Sequence, residues 1–232
     1  MAIGSTATWR RLSVAFYSRI DMDPLLRPLF PGKTLHCAIE EFTAFLAQLF
    51  GGPSEDTQRR WWLSLRESHL RFQIGRKERA AWMKNMVKTL DDVDIEEPLR
   101  AALREFFEQS SAHVVNTGDS VPAVADANGP SGDAIRQEIA RRWDAQRALD
   151  DAVAAVRGGE AERAIATAES STLRTRFQRD RSVLAGLLAL MMGSRNAAML
   201  RYAQKRVSDD PALCRNVTLA ALSYTQRLPK AI

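Results

Sequence analysis

The sequence predicts an all-α protein made of two helical halves. Apolar residues recur in both halves at the three- and four-residue spacing of amphipathic helices, and the alternation of apolar and polar residues that marks strands is absent. The centre of the chain, residues 118–132, is rich in glycine and proline and almost free of large apolar side chains. Because such a segment cannot bury enough apolar surface to offset the entropy of ordering it, we predict a flexible linker there. The linker would join one domain at 1–117 to a second at 133–232.

Three stretches of the first half predict helices with one apolar face. They span residues 35–49, 81–90 and 99–107, where large apolar residues return once per helical turn. The first stretch ends at Gly51-Gly52-Pro53, and glycine followed by proline is a typical helix stop. The residues from there to Leu63 are irregular and rich in charge and tryptophan, which favours a loop.

The second half opens with a predicted helix at about 134–157, whose apolar residues lie roughly on one face. Segments 152–170 and 187–205 then resemble one another at an offset of 35 residues. A helix-turn-helix unit repeated at that period is typical of ankyrin or tetratricopeptide arrays. Two units are fewer than a stable array usually needs, so an irregular helical bundle is an equal alternative. Residues 211–227 would supply a last helix in either arrangement.

Composition and charge exclude several classes of protein. The net charge is +5, and the basic residues are dispersed without interleaved aromatic residues, which argues against nucleic-acid binding. No apolar run is long enough for a membrane span, and the N-terminus lacks the pattern of a secretion signal. Cys37 and Cys214 lie far apart and neither belongs to a CxxC pair, which argues against zinc and a disulfide framework. We therefore expect a cytoplasmic protein.

Among three histidines, only His69 lies in a recognisable context. Residues 16–31, 40–53 and 65–86 contain, in order, a Phe-Tyr pair, an aromatic-Pro turn, a helix ending in Gly-Gly-Pro, this histidine, and Glu-Arg followed by a tryptophan. In this order and spacing they resemble the group II truncated haemoglobins, over roughly residues 9–116.

The resemblance implies a two-over-two helical sandwich around haem b, with His69 as the proximal ligand of the iron. Tyr17 and Trp82 match the distal hydrogen-bond donors of the family. A bound diatomic ligand carries partial negative charge. A phenol O–H and an indole N–H that point at this ligand would therefore stabilise it by hydrogen bonding. The remaining positions that the resemblance puts around the haem are apolar, and they are Phe30, Ala38, Phe42, Phe72 and Ile74. The small Ala38 would leave the distal side open.

The sequence departs from the family next to the proximal histidine. The family usually has an arginine just before it, placed to pair with a haem propionate, and here that residue is Ser68. Arg66, or alternatively Arg71, would then bind a propionate. Phe30 replaces a tyrosine of the family, so the distal donors would be Tyr17 and Trp82 alone.

The resemblance implies reversible binding of dioxygen or another diatomic gas such as nitric oxide, more than an enzymatic function. The enzymatic alternative is a nitric oxide dioxygenase or peroxidase-like globin. No GxGxxG dinucleotide motif is present, so such an enzyme would need a separate reductase. A haem-based gas sensor that signals through the C-terminal helices to a protein partner is a third possibility. A globin-fold module that has lost its haem, as in phycobilisome proteins, is the fourth.

Overall fold

A computed structural model describes residues 4–30, 32–50, 64–118 and 134–227. These ranges are helical and contain no strand, which confirms the all-α prediction. In chain order the helices are α1 (Thr6–Asp21), a 3-10 helix (Arg27–Leu29), α2 (His36–Phe50), α3 (Leu65–His69), α4 (Arg76–Asp92), α5 (Leu99–His113), α6 (Ala134–Arg157), α7 (Ala161–Ala168), α8 (Ser171–Arg179), α9 (Arg181–Gly193), α10 (Ala197–Asp209) and α11 (Ala212–Arg227). No helix in this part of the chain is long and apolar enough to cross a membrane.

The chain forms two compact units. Of the described residues, those up to Phe50 and from Arg66 to Trp143 form the first unit. Residues 64–65 and those from Asp144 onward form the second, so α3 and α6 each contribute to both. The predicted helix stop at 51–53 and nearly all of the predicted linker lie outside the described residues. The domain limits given above stay a prediction.

Helix α1 shows how sequence pattern becomes packing in the first unit. The Ser5 side chain accepts a hydrogen bond from the Thr8 amide at 3.1 Å, which caps the helix start. Four large side chains follow at three- and four-residue spacing and are fully buried: Trp9, Leu12, Phe16 and Ile20. This stripe packs α1 against α2 and α4.

The predicted stretches at 81–90 and 99–107 fall in α4 and α5, which pack against each other. Helix α4 begins after Gly75, whose amide donates to the Glu78 carboxylate at 2.9 Å. Met86 and Leu90 of α4 are buried, as are Leu103, Phe106 and Phe107 of α5.

The beginning of α6 is part of the first unit. Trp143 packs edge-on against Phe106 and His113, with ring centroids 5.5 Å and 5.4 Å apart. Arg142, only 2% exposed, donates from Nη1 to the carbonyl of Leu49 at 3.0 Å. The last carbonyls of a helix have no partner inside it, so Arg142 satisfies one at the end of α2.

The second unit is organised around α9. Its residues from Ser182 to Met191 are all buried, and it packs against α8, α10 and α11. The Asp180 side chain caps its start by accepting from the Ser182 amide at 3.0 Å. The similar segments at 152–170 and 187–205 correspond to the ends of α6 and α9 with the helices that follow. Their interpretation as repeats stays a prediction.

Candidate functional site

Four aromatic side chains from four helices of the first unit form a closed circuit of ring contacts. They are Phe16 on α1, Phe42 on α2, Trp82 on α4 and Phe107 on α5. Centroid distances around the circuit are 5.9 Å (Phe16–Phe42), 6.1 Å (Phe42–Phe107), 5.7 Å (Phe107–Trp82) and 5.0 Å (Trp82–Phe16). The pairs are tilted or edge-on, as the quadrupoles of aromatic rings favour. The circuit therefore joins the four helices around one aromatic cluster.

Tyr17 lies beside this circuit. Its ring centroid is 5.2 Å from that of Phe16, 6.1 Å from Phe42 and 5.6 Å from Phe30. Successive residues of a helix point about 100° apart, so the fully buried Phe16 enters the core while Tyr17 stays half-buried at its edge.

The turn that carries Phe30 is held in place by Asp23. One carboxylate oxygen of Asp23 accepts from the Leu26 amide at 3.0 Å, and the other accepts from Nδ2 of Asn85 on α4 at 2.7 Å. Burial raises the pKa of Asp23, but these hydrogen bonds outweigh it and keep the pKa below its ordinary value. Arg27 donates to the Phe30 carbonyl at 2.8 Å. The turn is thus fixed to the helix that bears the circuit's tryptophan.

His69 is the last residue of α3 and is half-buried. Its ring centroid lies 6.2 Å from that of Phe72, which lies 5.9 Å from that of Phe30. Its Nδ1 lies 3.1 Å from Oγ of Ser68. A continuous row of ring contacts therefore runs from His69 through Phe72 and Phe30 to Tyr17.

The model of the bacterial-like globin family matches residues 1–116, half of the chain. The chain belongs to this family. It is 35% identical over 101 residues to group 2 truncated haemoglobin YjbI of Bacillus subtilis (strain 168), covering 44% of this chain and 76% of that protein. This similarity confirms the group II resemblance and the truncated globin fold of the first half.

Three further similarities are to two group II truncated haemoglobins and one bacterial haemoglobin. Group 2 truncated haemoglobin 3-1 of Lotus japonicus is 28% identical over 111 residues, which is 47% of this chain and 66% of that one. The structure of the group II truncated haemoglobin of Bacillus anthracis matches at 32% identity and a TM-score of 0.47, covering 50% of this chain and 94% of that one. The haemoglobin of Chloroflexus aurantiacus matches at 38% identity and a TM-score of 0.46, with the same coverage.

Membership of the globin family implies a haem cofactor, and the first unit, called the globin unit below, fits one. The uncharged residues predicted around the haem are all half-buried, neither sealed in the core nor exposed: Tyr17, Phe30, Ala38, Phe42, His69, Phe72, Ile74 and Trp82. The aromatic residues packed behind them, Phe16, Phe106 and Phe107, are fully buried. Rings that keep part of their surface uncovered can cover a large flat apolar ligand, and one imidazole lies among them.

Asn116, which follows α5, was missed by sequence reasoning. Its Nδ2 donates to the carbonyls of His69 at 3.1 Å and Phe72 at 2.9 Å, and its Oδ1 accepts from the Ile74 amide at 3.0 Å. Its own amide donates to the Ile74 carbonyl at 2.9 Å. One side chain thus holds the segment after His69. No local motif marks an asparagine for this role, because its partners lie more than 40 residues away.

The two arginines predicted to bind a propionate differ in their surroundings. Arg66 is exposed, and its Nη1 donates to the carbonyl of His113 at 3.1 Å. The guanidinium carbon of Arg71 lies 4.7 Å from the ring centroid of Phe72, a cation–π contact. Their role toward a propionate stays a prediction.

Proposed function

We propose that the globin unit binds haem b through His69 and reversibly binds dioxygen or another diatomic gas. The observation that carries the proposal is the half-burial of the aromatic side chains around Tyr17, in front of a fully buried aromatic layer. Family membership supports haem, and the position of His69 on the same row of rings supports its role as the ligand.

The surroundings of His69 suit a neutral imidazole that binds a metal through Nε2. In this tautomer Nδ1 carries the proton and donates a hydrogen bond to Oγ of Ser68, 3.1 Å away. Such a hydrogen bond fixes the tautomer and the ring orientation of a metal-binding histidine. Asn116 fixes the backbone on the other side by holding the His69 carbonyl.

When bound, haem iron supplies an open coordination position for a diatomic ligand. Tyr17 and Trp82 would each donate a hydrogen bond to that ligand. Each bond would contribute about 1.5 kcal/mol, since the acceptor carries partial negative charge. The apolar side chains of Phe30 and Phe42 exclude water and strengthen these bonds.

An absorbance spectrum of the purified protein beside its His69→Ala variant tests the ligand. We expect a Soret band in the wild type and its loss or large shift in the variant, because no second imidazole lies on this row of rings. His36→Ala, at an exposed histidine at the start of α2, is the matched control and should leave the spectrum unchanged. A His69→Ala spectrum identical to the wild type would remove His69 as the ligand.

The dioxygenase, peroxidase and sensor alternatives stay predictions. Rapid mixing of the oxygenated protein with nitric oxide, followed by measurement of nitrate, distinguishes a nitric oxide dioxygenase from an oxygen carrier. Stoichiometric nitrate, renewed when an external electron donor is added, would indicate the dioxygenase.

A further inference from the structure

The helix that carries His69 is short. Helix α3 has five residues, and so short a helix is not stable by itself. Its orientation therefore depends on contacts with other parts of the chain, among them the groups that bind its two ends. Asn116 holds the His69 end, within the globin unit.

The other end is held by a carboxylate from beyond the matched globin segment. Oδ1 of Asp150, on α6, accepts from the Leu65 amide at 2.9 Å, and both residues belong to the second unit. The first amides of a helix lack partners inside it, and a carboxylate there also complements the helix dipole.

Asp150 is an unusual residue in its setting. It is 5% exposed and also accepts at Oδ1 from Nε2 of the buried Gln146, at 2.9 Å. A buried carboxylate costs free energy unless its oxygens are hydrogen-bonded. This carboxylate is therefore compensated in part by the start of α3.

A second route connects α6 to α3 inside the globin unit. Trp143, about two turns before Asp150 on α6, packs edge-on against His113. The carbonyl of His113 accepts from Nη1 of Arg66 on α3. Helix α6 is thus connected to α3 in two ways. Trp143 contacts His113, which binds Arg66, and Asp150 binds the Leu65 amide directly.

We infer that Asp150 is a positioning residue for the helix that carries His69, so that residues outside the matched globin segment set the geometry on the proximal side. The inference rests on the proposed role of His69. Removing the Asp150 carboxylate should loosen the first turn of α3 and broaden the range of orientations available to the His69 ring.

The experiment compares full-length Asp150→Ala and Asp150→Asn with Asp151→Ala and Asp151→Asn. Asp151 is the next residue of the same helix and is exposed, so it matches in chemistry and position along the chain. The first readout is amide hydrogen exchange resolved to residues 64–70. We expect exchange about tenfold faster in Asp150→Ala, a smaller increase in Asp150→Asn, which keeps an acceptor oxygen, and none in the Asp151 variants.

The second readout is the iron–histidine stretching band of the reduced protein. It should shift or broaden in Asp150→Ala, return toward the wild-type band in Asp150→Asn, and stay unchanged in both Asp151 variants. If the Asp150 variants have the same amide exchange at residues 64–70 and the same iron–histidine band as the Asp151 variants, the inference is overturned. If Asp150→Ala does not fold, Asp150→Asn is compared with Asp151→Asn by the same two measurements, and equal results would again overturn the inference.

The two proposals fail separately. Loss of the His69 assignment would appear as an unchanged spectrum in His69→Ala, whereas the exchange measurement needs no haem. Faster exchange at 64–70 without any change in the iron–histidine band would reduce Asp150 to a purely structural cap and contradict its positioning role.

Discussion

The two units are built from similar helices, but their interiors differ. In the globin unit the aromatic side chains fall into a buried layer, with Phe16 and Phe107, and a half-buried layer, with Tyr17, Phe42 and Trp82. The core of the second unit is aliphatic and closed. Most of its members are Ala, Val, Leu and Met side chains, many of them in α9 and fully buried.

The proposed haem site would need this difference in addition to amphipathic helices. Aliphatic side chains fill the space between helices by interdigitating, so the second unit gains stability from every buried methyl group. Large aromatic rings at the edge of a core keep part of their surface uncovered, and a flat ligand can pack against that surface. Four substitutions test this contrast, in order of the effect expected.

The largest effect is expected in the closed core. Leu187→Ala removes a fully buried side chain of α9 and leaves a cavity, which should lower the free energy of unfolding by about 3 kcal/mol. Leu219→Ala, at an exposed leucine of α11, is the control and should change it little. Denaturant titration gives both values, and equal losses would contradict the closed core.

Asn116→Ala tests the segment after His69. It removes one hydrogen bond each from the His69 carbonyl, the Phe72 carbonyl and the Ile74 amide, and we expect a loss of about 2 kcal/mol in the free energy of unfolding. Thr117→Ala is the control, since the exposed Thr117 contributes through its backbone amide to the Ile74 carbonyl. A loss no larger than that of the control would show that other groups hold this segment.

One tyrosine from each unit, Tyr17 and Tyr202, provides a matched pair. Tyr17→Phe removes a proposed donor to the bound gas and should raise the oxygen dissociation rate roughly tenfold. Tyr202→Phe removes a hydroxyl that donates to Glu169 at 2.5 Å in the second unit and should leave that rate unchanged. Stopped-flow measurement on both variants decides. An unaltered rate in Tyr17→Phe would remove Tyr17 from the distal site, and Trp82→Phe tests its proposed partner in the same way.

The smallest effect concerns pH and the second unit. Hydrogen bonding to Tyr202, and ion pairs with Arg174 and Arg206, hold the pKa of Glu169 below its ordinary value of 4.5. A lowered carboxylate pKa stabilises the fold above the unfolded value, and this contribution disappears as the pH falls through the folded value. Because the group is partly exposed, the contribution is below about 1 kcal/mol.

Glu169→Gln should therefore narrow the difference in unfolding free energy between pH 7 and pH 3. Glu162→Gln, an acidic residue in the first turn of α7, is the control. Burial and the bond to Glu169 raise the pKa of Tyr202, so its contribution is present below pH 10 and is lost only in strong alkali. If the unfolding free energy of Glu169→Gln depends on pH as that of the wild type does, the hydrogen bonds and ion pairs of Glu169 do not contribute to stability.

The sequence alone was sufficient for the helical class and for the family, and the residues expected around the haem stay a prediction. Local pattern determines these features, because apolar spacing sets which helix face is buried and motif order identifies the globin. The stripe on α1, from Trp9 to Ile20, is an example in which spacing translates directly into packing.

Tertiary structure alone decided which polar groups hold the segment around His69. Asn116 and Asp150 look unremarkable in the sequence, because each acts on backbone groups that are more than 40 residues distant. Backbone amides and carbonyls are the same at every position, so no residue pattern records which side chain will meet them. Only the fold brings a carboxylate of α6 to the first amide of α3, and an asparagine to the carbonyl at its end.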